Sequence, residues 1–271
     1  MPILDKDMTL CISLSGRPSN IGTRFHNYLY DALGLAYVYK AFTTTDLASA
    51  IAGVRGLGIR GCAVSMPFKE AVIPLVDELD PSAAVIESVN TIVNDDGFLR
   101  AYNTDYLAIV RLVERHGIAR GSVIVRGSGG MAKAVTAALH DSGFVAGTII
   151  ARNESAGRAL AARHGYAWQR ELGESTADLL VNVTPIGMAG GADAGGLAFP
   201  TPAIAAASTV WDVVAMPVET PLVRAARAAG KPVVTGGEVI AIQAEEQFVL
   251  YTGVRPSREL VAAASEFSRA G

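Results

Sequence analysis

Cysteine is scarce in this chain. There are two, Cys11 and Cys62, each inside an apolar strand-like segment. Two isolated thiols exclude a disulfide framework and suit a reducing, cytoplasmic setting. Histidine is almost as rare: His26, His116, His140 and His164 are scattered, and none clusters with a cysteine in a metal-ligand spacing. No bound metal is expected. No basic run stands out and the net charge is −3, which argues against a nucleic-acid surface. No apolar run approaches the roughly 18–20 residues needed to cross a bilayer, so no membrane association is expected. The opening "MPILDKDMTL" has early acids and no basic-then-apolar pattern, so it does not read as a signal peptide. Neither G-x-S-x-G nor G-x-x-x-x-G-K-[ST] occurs, which sets aside a hydrolase elbow and a P-loop. There is no fixed-period repeat and no low-complexity linker; "AGGADAGG" at 189–196 reads as a flexible loop.

What is present is apolar material and alternation. Of 271 residues, 50% are hydrophobic and 18% charged, enough for two domains or one large one. Strand-like and helix-like segments take turns: "MTLCISLSG", "RFHNYLYDALG", "LAYVYKAFT", "DLASAIAGVRGLG" with Asp46 as a candidate cap, then "RGCAVSM" and a helix beginning near Lys69. "SVNTIVNDDGFLRAYNTD" reads as two strands around an Asn-Asp-Asp-Gly turn. A long helix, "YLAIVRLVERHG", follows. The pattern then restarts near residue 107 with purer strands: "SVIVRG", "GTIIARN", "ADLLVNVT" and "TVWDVVAM". Short, branched, nearly all-apolar strands are those buried on both faces of a parallel sheet, so the fold class is α/β. The last segments read as helices that return to cover the first domain.

Two places carry chemistry. "VIVRGSGGMAKAV" sets Gly127, Gly129 and Ala132 in a G-x-G-x-x-A spacing, after a strand and at the start of a helix. Such a turn lets a pyrophosphate approach the backbone at a helix N-terminus; the same turn also serves simply to pack a helix on a sheet. The next strand ends in Arg152 where an NAD site would place an acid. An arginine there suits the 2′-phosphate of NADP, or stands solvated at a strand end, with Glu154 two residues on. In the first half, Lys69, Asn90 and the run Asn103-Thr104-Asp105 fall at strand ends. There a lysine and an aspartate can act as an acid–base pair on a carbonyl or hydroxyl; equally, both can be ordinary solvated or capping residues.

In their order, these motifs resemble the shikimate dehydrogenase family over nearly the whole chain. "SMPFKEAV", "SVNTIV", "YNTDY", "GSGGMAKA", "ARN", "VNVTPIGM", "DVVAMPVETPL" and "GGEVIAIQAEEQF" look like the family's successive segments. The resemblance implies a substrate domain over residues 1–106, completed by C-terminal helices at 238–271, and a Rossmann-type NADP-binding domain over 107–237. It implies reversible reduction of 3-dehydroshikimate to shikimate. Lys69 becomes the proton-transfer group and Asp105 its partner. Asn20, Thr23, Ser65, Asn90 and Gln243 become substrate-binding. Gly127, Ser128, Gly129, Gly130, Met131, Ala132, Arg152, Asn153 and Thr184 become cofactor-binding. The partner is a small molecule, with the protein a monomer or homodimer.

The departures fall around the pocket. Where the family has Ser-x-Ser-Pro, this chain has Asn20, Gly22 and Thr23, followed by Arg24, which either meets a carboxylate or faces solvent. Ala63 and Ser65 replace an asparagine and a threonine, and Ala215 replaces a tyrosine. Glu238-Val239 replaces a glycine-methionine pair, and the second arginine after N-R-T falls at Ala156, although Arg158 is near. This pattern resembles the shikimate dehydrogenase-like subgroup and implies weak shikimate turnover. The alternatives are a quinate or aminoshikimate dehydrogenase, or a non-catalytic NADP-binding regulatory protein.

Overall fold

A computed structural model describes residues 4–270. Met1, Pro2, Ile3 and Gly271, which end the expected first domain and open the stretch read for targeting, lie outside the described residues. The chain forms two compact units. One runs to Thr104 and resumes at Gln243; the other runs from Asp105 to Ile242. The limits read from the sequence, 106/107 and 237/238, stand a few residues from these divisions.

The first unit begins β1 (Thr9–Leu14), α1 (Asn20–Ala32), β2 (Tyr37–Phe42), α2 (Leu47–Gly56), β3 (Gly61–Val64). It continues α3 (Phe68–Ala71), β4 (Glu78–Leu79), α4 (Pro81–Ala84), β5 (Thr91–Asp95) and β6 (Phe98–Tyr102). The sheet order is β2-β1-β3-β5-β6-β4, parallel at β2-β1-β3 and antiparallel at β3-β5-β6. The Asp46 carboxylate caps α2 by accepting from Ser49 N at 3.0 Å. Asp96 and Gly97 both have positive φ (51° and 91°), which the two-residue hairpin turn between β5 and β6 requires. The helix read near Lys69 is only the four residues of α3.

The second unit runs α5 (Thr104–Arg115), β7 (Ser122–Arg126), α6 (Gly130–Asp141), β8 (Ala146–Ile150), α7 (Glu154–Arg163), β9 (Ala167–Gln169) and β10 (Leu179–Asn182). Then come α8 (Thr201–Ala206), β11 (Thr209–Asp212), α9 (Pro221–Ala228), β12 (Val233–Thr235) and the start of α10 (Gly236–Thr252); the rest of α10, from Gln243, and α11 (Arg258–Arg269) belong to the first unit. Its six strands are all parallel in the order β12-β11-β10-β7-β8-β9. Successive residues of β7 enter two different cores. Val123 and Val125 pack with Leu112 and Val135, whereas Ile124 packs with Phe199 and Val210. That is why these strands are apolar throughout rather than alternating. Three short strands, β4, β9 and β12, escape sequence reading because two or three residues show no periodicity.

Cys11 and Cys62 are buried and free. Cys11 stands level with Gly61 and Cys62 with Ile12, so the thiols point to opposite faces of the sheet. Burial pushes the Cys11 thiol up to about 12, which makes it inert near neutral pH. On the face shared by α1, α11 and the second half of α10 lies an aromatic cluster. The His26 ring stacks on Tyr39 at 4.4 Å, with Tyr30, Phe248 and Tyr251 around it.

Burial pushes His26 down to about 4 from an ordinary 6.5, against a smaller opposing hydrogen bond from Gln247. Between these values the unfolded chain binds a proton that the folded chain refuses. The stability held above about pH 6.5 is therefore lost as pH falls toward 4, by up to roughly 3 kcal/mol. Chemical denaturation of the wild type at pH 7 and pH 4.5 is expected to show this loss. A His26→Gln variant is expected to show a smaller dependence over the same interval; an equal slope in both proteins would remove His26 as the cause.

Candidate active site

The sheet of the second unit reverses its winding between β7 and β10, the place where such sheets open a crevice at their carboxyl ends. A pocket of about 610 Å³ lies there. Gly127, Ser128, Asn153 and Thr184 line it, together with Arg126, Arg152 and Arg170. The glycine turn is a tight cradle. Gly127 has φ 130°, and a Cβ there would fall 2.7 Å from Val183 Cγ2 and 3.1 Å from its carbonyl oxygen. Gly129 and Gly130 are exposed at the start of α6, with open space where a Cβ would stand. Met131 is partly buried against the core and Ala132 is fully buried, which lets α6 sit close to the sheet.

Asn153 lies at the N-cap of α7, its side chain accepting from Ala156 N at 3.1 Å. Thr184 is held by Asn182, whose Oδ1 accepts from Thr184 N at 3.0 Å and from Thr184 Oγ1 at 2.6 Å. Asn182 Nδ2 in turn donates to Asp212 Oδ1 at 3.0 Å, and Thr220 Oγ1 donates to Asp212 Oδ2 at 2.6 Å. Burial raises the Asp212 carboxyl above its ordinary range, while these donors oppose the rise.

Three arginines converge at the ends of β7, β8 and β9. Burial lowers the Arg126 guanidinium and the neighbouring Arg152 lowers it further, a repulsion that a bound anion would relieve. The cradle and these cations suit a dinucleotide carrying an extra phosphate. Arg158 does not line this pocket; it pairs with Glu154 at 2.8 Å and lies over the Trp168 ring at 4.3 Å. Glu154 is thus engaged away from Arg152. Arg126 and Arg170 were not among the expected site residues. Arg126 closes an otherwise apolar strand, and Arg170 follows the unrecognised β9; the arginine directly before Gly127 was the available signal.

In the first unit, Asn90, Thr104 and Gln243 come together. Asn90 Oδ1 accepts from Thr104 N at 2.8 Å, Thr104 Oγ1 at 3.1 Å and Thr91 Oγ1 at 2.9 Å. Gln243 Nε2 donates to Thr104 Oγ1 at 2.8 Å. Lys69 is half-buried in α3, where its carbonyl accepts from Val89 N at 2.9 Å, the residue before Asn90. Asp105, in the first turn of α5, opens the second unit. Asn20 is exposed at the start of α1, and Ser65 is exposed just past β3. Thr23 Oγ1 is buried without a partner. Arg24 is partly exposed and is engaged by the C-terminal helix. Its Nε and Nη2 donate to Phe267 O at 3.1 and 2.8 Å, and it lies 4.3 Å over the Phe267 ring.

Comparison with known proteins agrees with this architecture. The profile of the shikimate dehydrogenase substrate binding domain matches residues 20–92. A shikimate dehydrogenase-like protein of Haemophilus influenzae is 61% identical over 268 residues, covering 98% of this chain and 99% of that protein. The chain belongs to the shikimate dehydrogenase family. A shikimate dehydrogenase (NADP(+)) of Citrifermentans bemidjiense is 36% identical, covering 85% of each chain. The structure of shikimate 5-dehydrogenase from Thermus thermophilus with NADP(H) and shikimate superposes with a TM-score of 0.85 at 28% identity, covering 96% of this chain and 100% of that one.

Against the family pattern, one departure has a local cause. Glu238 Oε2 accepts from Thr235 N at 2.9 Å and Thr235 Oγ1 accepts from Glu238 N at 3.4 Å, a reciprocal capping box at the start of α10. Glu238 Oε1 also meets His116 Nε2 at 2.8 Å. Nothing in the structure explains Ala215.

Gly127→Ala is expected to destabilise the protein by about 1–3 kcal/mol through overpacking against Val183 and an unfavourable φ. The midpoint of urea unfolding measures this, with Gly129→Ala as a control expected to move it far less.

Proposed function

We propose that this chain is an NADP-dependent oxidoreductase that interconverts shikimate and 3-dehydroshikimate, or a closely related cyclic hydroxy carboxylate, with weak shikimate turnover. The observation that carries the reading is the arginine-lined pocket around the Gly127 turn. Its charge and glycine cradle suit NADP, the cofactor in the name of the Citrifermentans relative. Gly127, Ser128, Gly129 and Gly130 would hold the pyrophosphate against the start of α6. Arg152 would take the 2′-phosphate, with Asn153 beside it and Thr184 on the opposite wall.

A bound nicotinamide supplies the carbon that accepts or donates hydride. The remaining chemistry belongs to the chain. Lys69 is assigned as the acid–base group, with Asp105 as the partner that orients it, on the likeness of "SMPFKEAV" and "YNTDY" to the family's segments. In oxidation the substrate hydroxyl proton passes to the neutral Lys69 amine as hydride leaves the substrate carbon that bears that hydroxyl. In reduction the Lys69 ammonium returns that proton to the carbonyl oxygen. Asn90 and Gln243 would hold ring hydroxyls, and Asn20, Thr23 and Ser65 would lie near the carboxylate. Fewer hydroxyl donors at these positions weaken carboxylate binding, since each bond to a charged group is worth roughly 1.5–3 kcal/mol. That loss supports the weak turnover.

The direct test is spectrophotometric, with shikimate, quinate and aminoshikimate offered with NADP and NAD. Reduction of NADP by at least one of them is expected, and inactivity with all three at high enzyme concentration would overturn the reading. Lys69→Ala is expected to lower kcat by about 10²–10⁴-fold with nucleotide affinity retained. Near-normal turnover in that variant would remove Lys69 from the mechanism. Arg152→Ala is expected to raise the KM for NADP by roughly tenfold or more while affecting NAD far less. An equal effect on both cofactors would count against Arg152 as the phosphate ligand.

A further inference from the structure

We propose that His26, Gln247 and Thr91 form a hydrogen-bond relay that positions the Asn90 amide and strengthens it as a donor to a substrate oxygen. Gln247 and Thr91 are then positioning residues. The inference rests on the reading of Asn90 as a substrate contact.

The direction of each bond in the relay is fixed by the groups themselves. A backbone N–H can only donate, so the Asn90 atom that meets Thr104 N at 2.8 Å is the carbonyl Oδ1. Nδ2 is therefore turned the other way, with two N–H groups to offer. The Thr91 hydroxyl has one hydrogen and gives it to Asn90 Oδ1 at 2.9 Å. It must then accept from Gln247, whose Nε2 lies 2.8 Å away. This orientation turns Gln247 Oε1 toward His26 Nε2 at 3.2 Å. An amide oxygen cannot donate, so His26 carries its hydrogen on Nε2. The ring's other nitrogen, Nδ1, is buried without a partner, as a bare acceptor.

A second arm reaches the same oxygen from Gln243 through Thr104 Oγ1, with bonds of 2.8 and 3.1 Å. Gln243 and Gln247 are one turn apart on α10, so a single helix face delivers both arms. All the arrows end on Asn90 Oδ1, which takes three donors although two would satisfy its lone pairs. The third donor exceeds what satisfying the buried oxygen requires. Successive donors polarise the amide and make its N–H groups stronger donors, by about 10–30% per bond in the chain. Asn90, Thr91, Thr104, His26 and Gln247 are all buried, so water does not compete for these bonds. His26 stays neutral because burial holds it low, so the relay keeps one state across the neutral range.

Four full-length variants test this: Asn90→Ala, Thr91→Val, Thr91→Ser and Gln247→Met. Shikimate is the probe, with NADP saturating. Thr91→Val and Gln247→Met are expected to raise the shikimate KM about 5–20-fold, with the NADP KM within about twofold of wild type. Thr91→Ser keeps the hydroxyl and is expected to restore near-normal KM, which separates loss of the relay from loss of folding. In protein labelled with 15N-asparagine, the Asn90 side-chain amide pair, identified by its absence in Asn90→Ala, is expected to move in Thr91→Val and Gln247→Met but not in Thr91→Ser. A raised KM in Asn90→Ala with no change in Thr91→Val and Gln247→Met overturns the relay and leaves the Asn90 reading standing. An unchanged KM in Asn90→Ala removes both. If the wild type ignores shikimate, the amide resonances decide alone, and their staying in place in both variants overturns the relay.

Discussion

The second unit depends on the close approach of Gly127 to Val183 at the ends of β7 and β10. A single methyl group at Gly127 would meet Val183 at 2.7 Å. That contact lets the chain leave β7 at φ 130°, a conformation for which glycine is suited, and enter α6 with its first N–H groups unencumbered. The pocket exists because the sheet winds in opposite directions from these two strands. Arg126, Arg152 and Arg170 then take their places from strand register alone. Arg126 stands level with Ile150, and Ile150 level with Gln169, so three adjacent strands end in cations on one rim.

The first unit solves a different problem. Its polar residues are buried, and each must find partners or be costly. The solution is a neutral network from His26 to Gln243 that converges on one amide oxygen. Ion pairs are kept outside it: Arg55 with Asp77 and Arg100 with Glu78 lie at exposed positions, where such pairs contribute little. Arg24 illustrates how a sequence cation is claimed by packing. It closes the last turn of α11 through the Phe267 carbonyl and stacks on that ring. Its immediate sequence neighbours gave no hint of this, since the partner lies over two hundred residues away in the chain.

Much of the architecture was legible because its signals are local. The "NDDG" turn demanded positive φ at two positions, and Asp96 and Gly97 supply them. Asp46 capped α2 from its place before an apolar run. The apolar strands of the second unit declared their double burial by lacking alternation. The glycine turn and Arg152 were equally local, and Gly127, Ser128 and Arg152 do share one pocket. Arg126 offered one local signal, its place directly before Gly127, whereas Arg170, just past the three-residue β9, offered none; strand register puts both beside Arg152. Glu238 read as a lost family position, whereas it caps α10 with Thr235 three residues earlier.

By itself the sequence determined the longer elements, the α/β class, the nucleotide-type turn and the family, since these follow from periodicity, turn chemistry and ordered motifs along the chain. Only the tertiary structure decided which polar side chains meet. Asn90, Thr104 and Gln243 come together through bonds that span up to 139 positions of sequence. Hydrogen-bond direction depends on which donor reaches which acceptor in the folded chain. No spacing within a single segment encodes that.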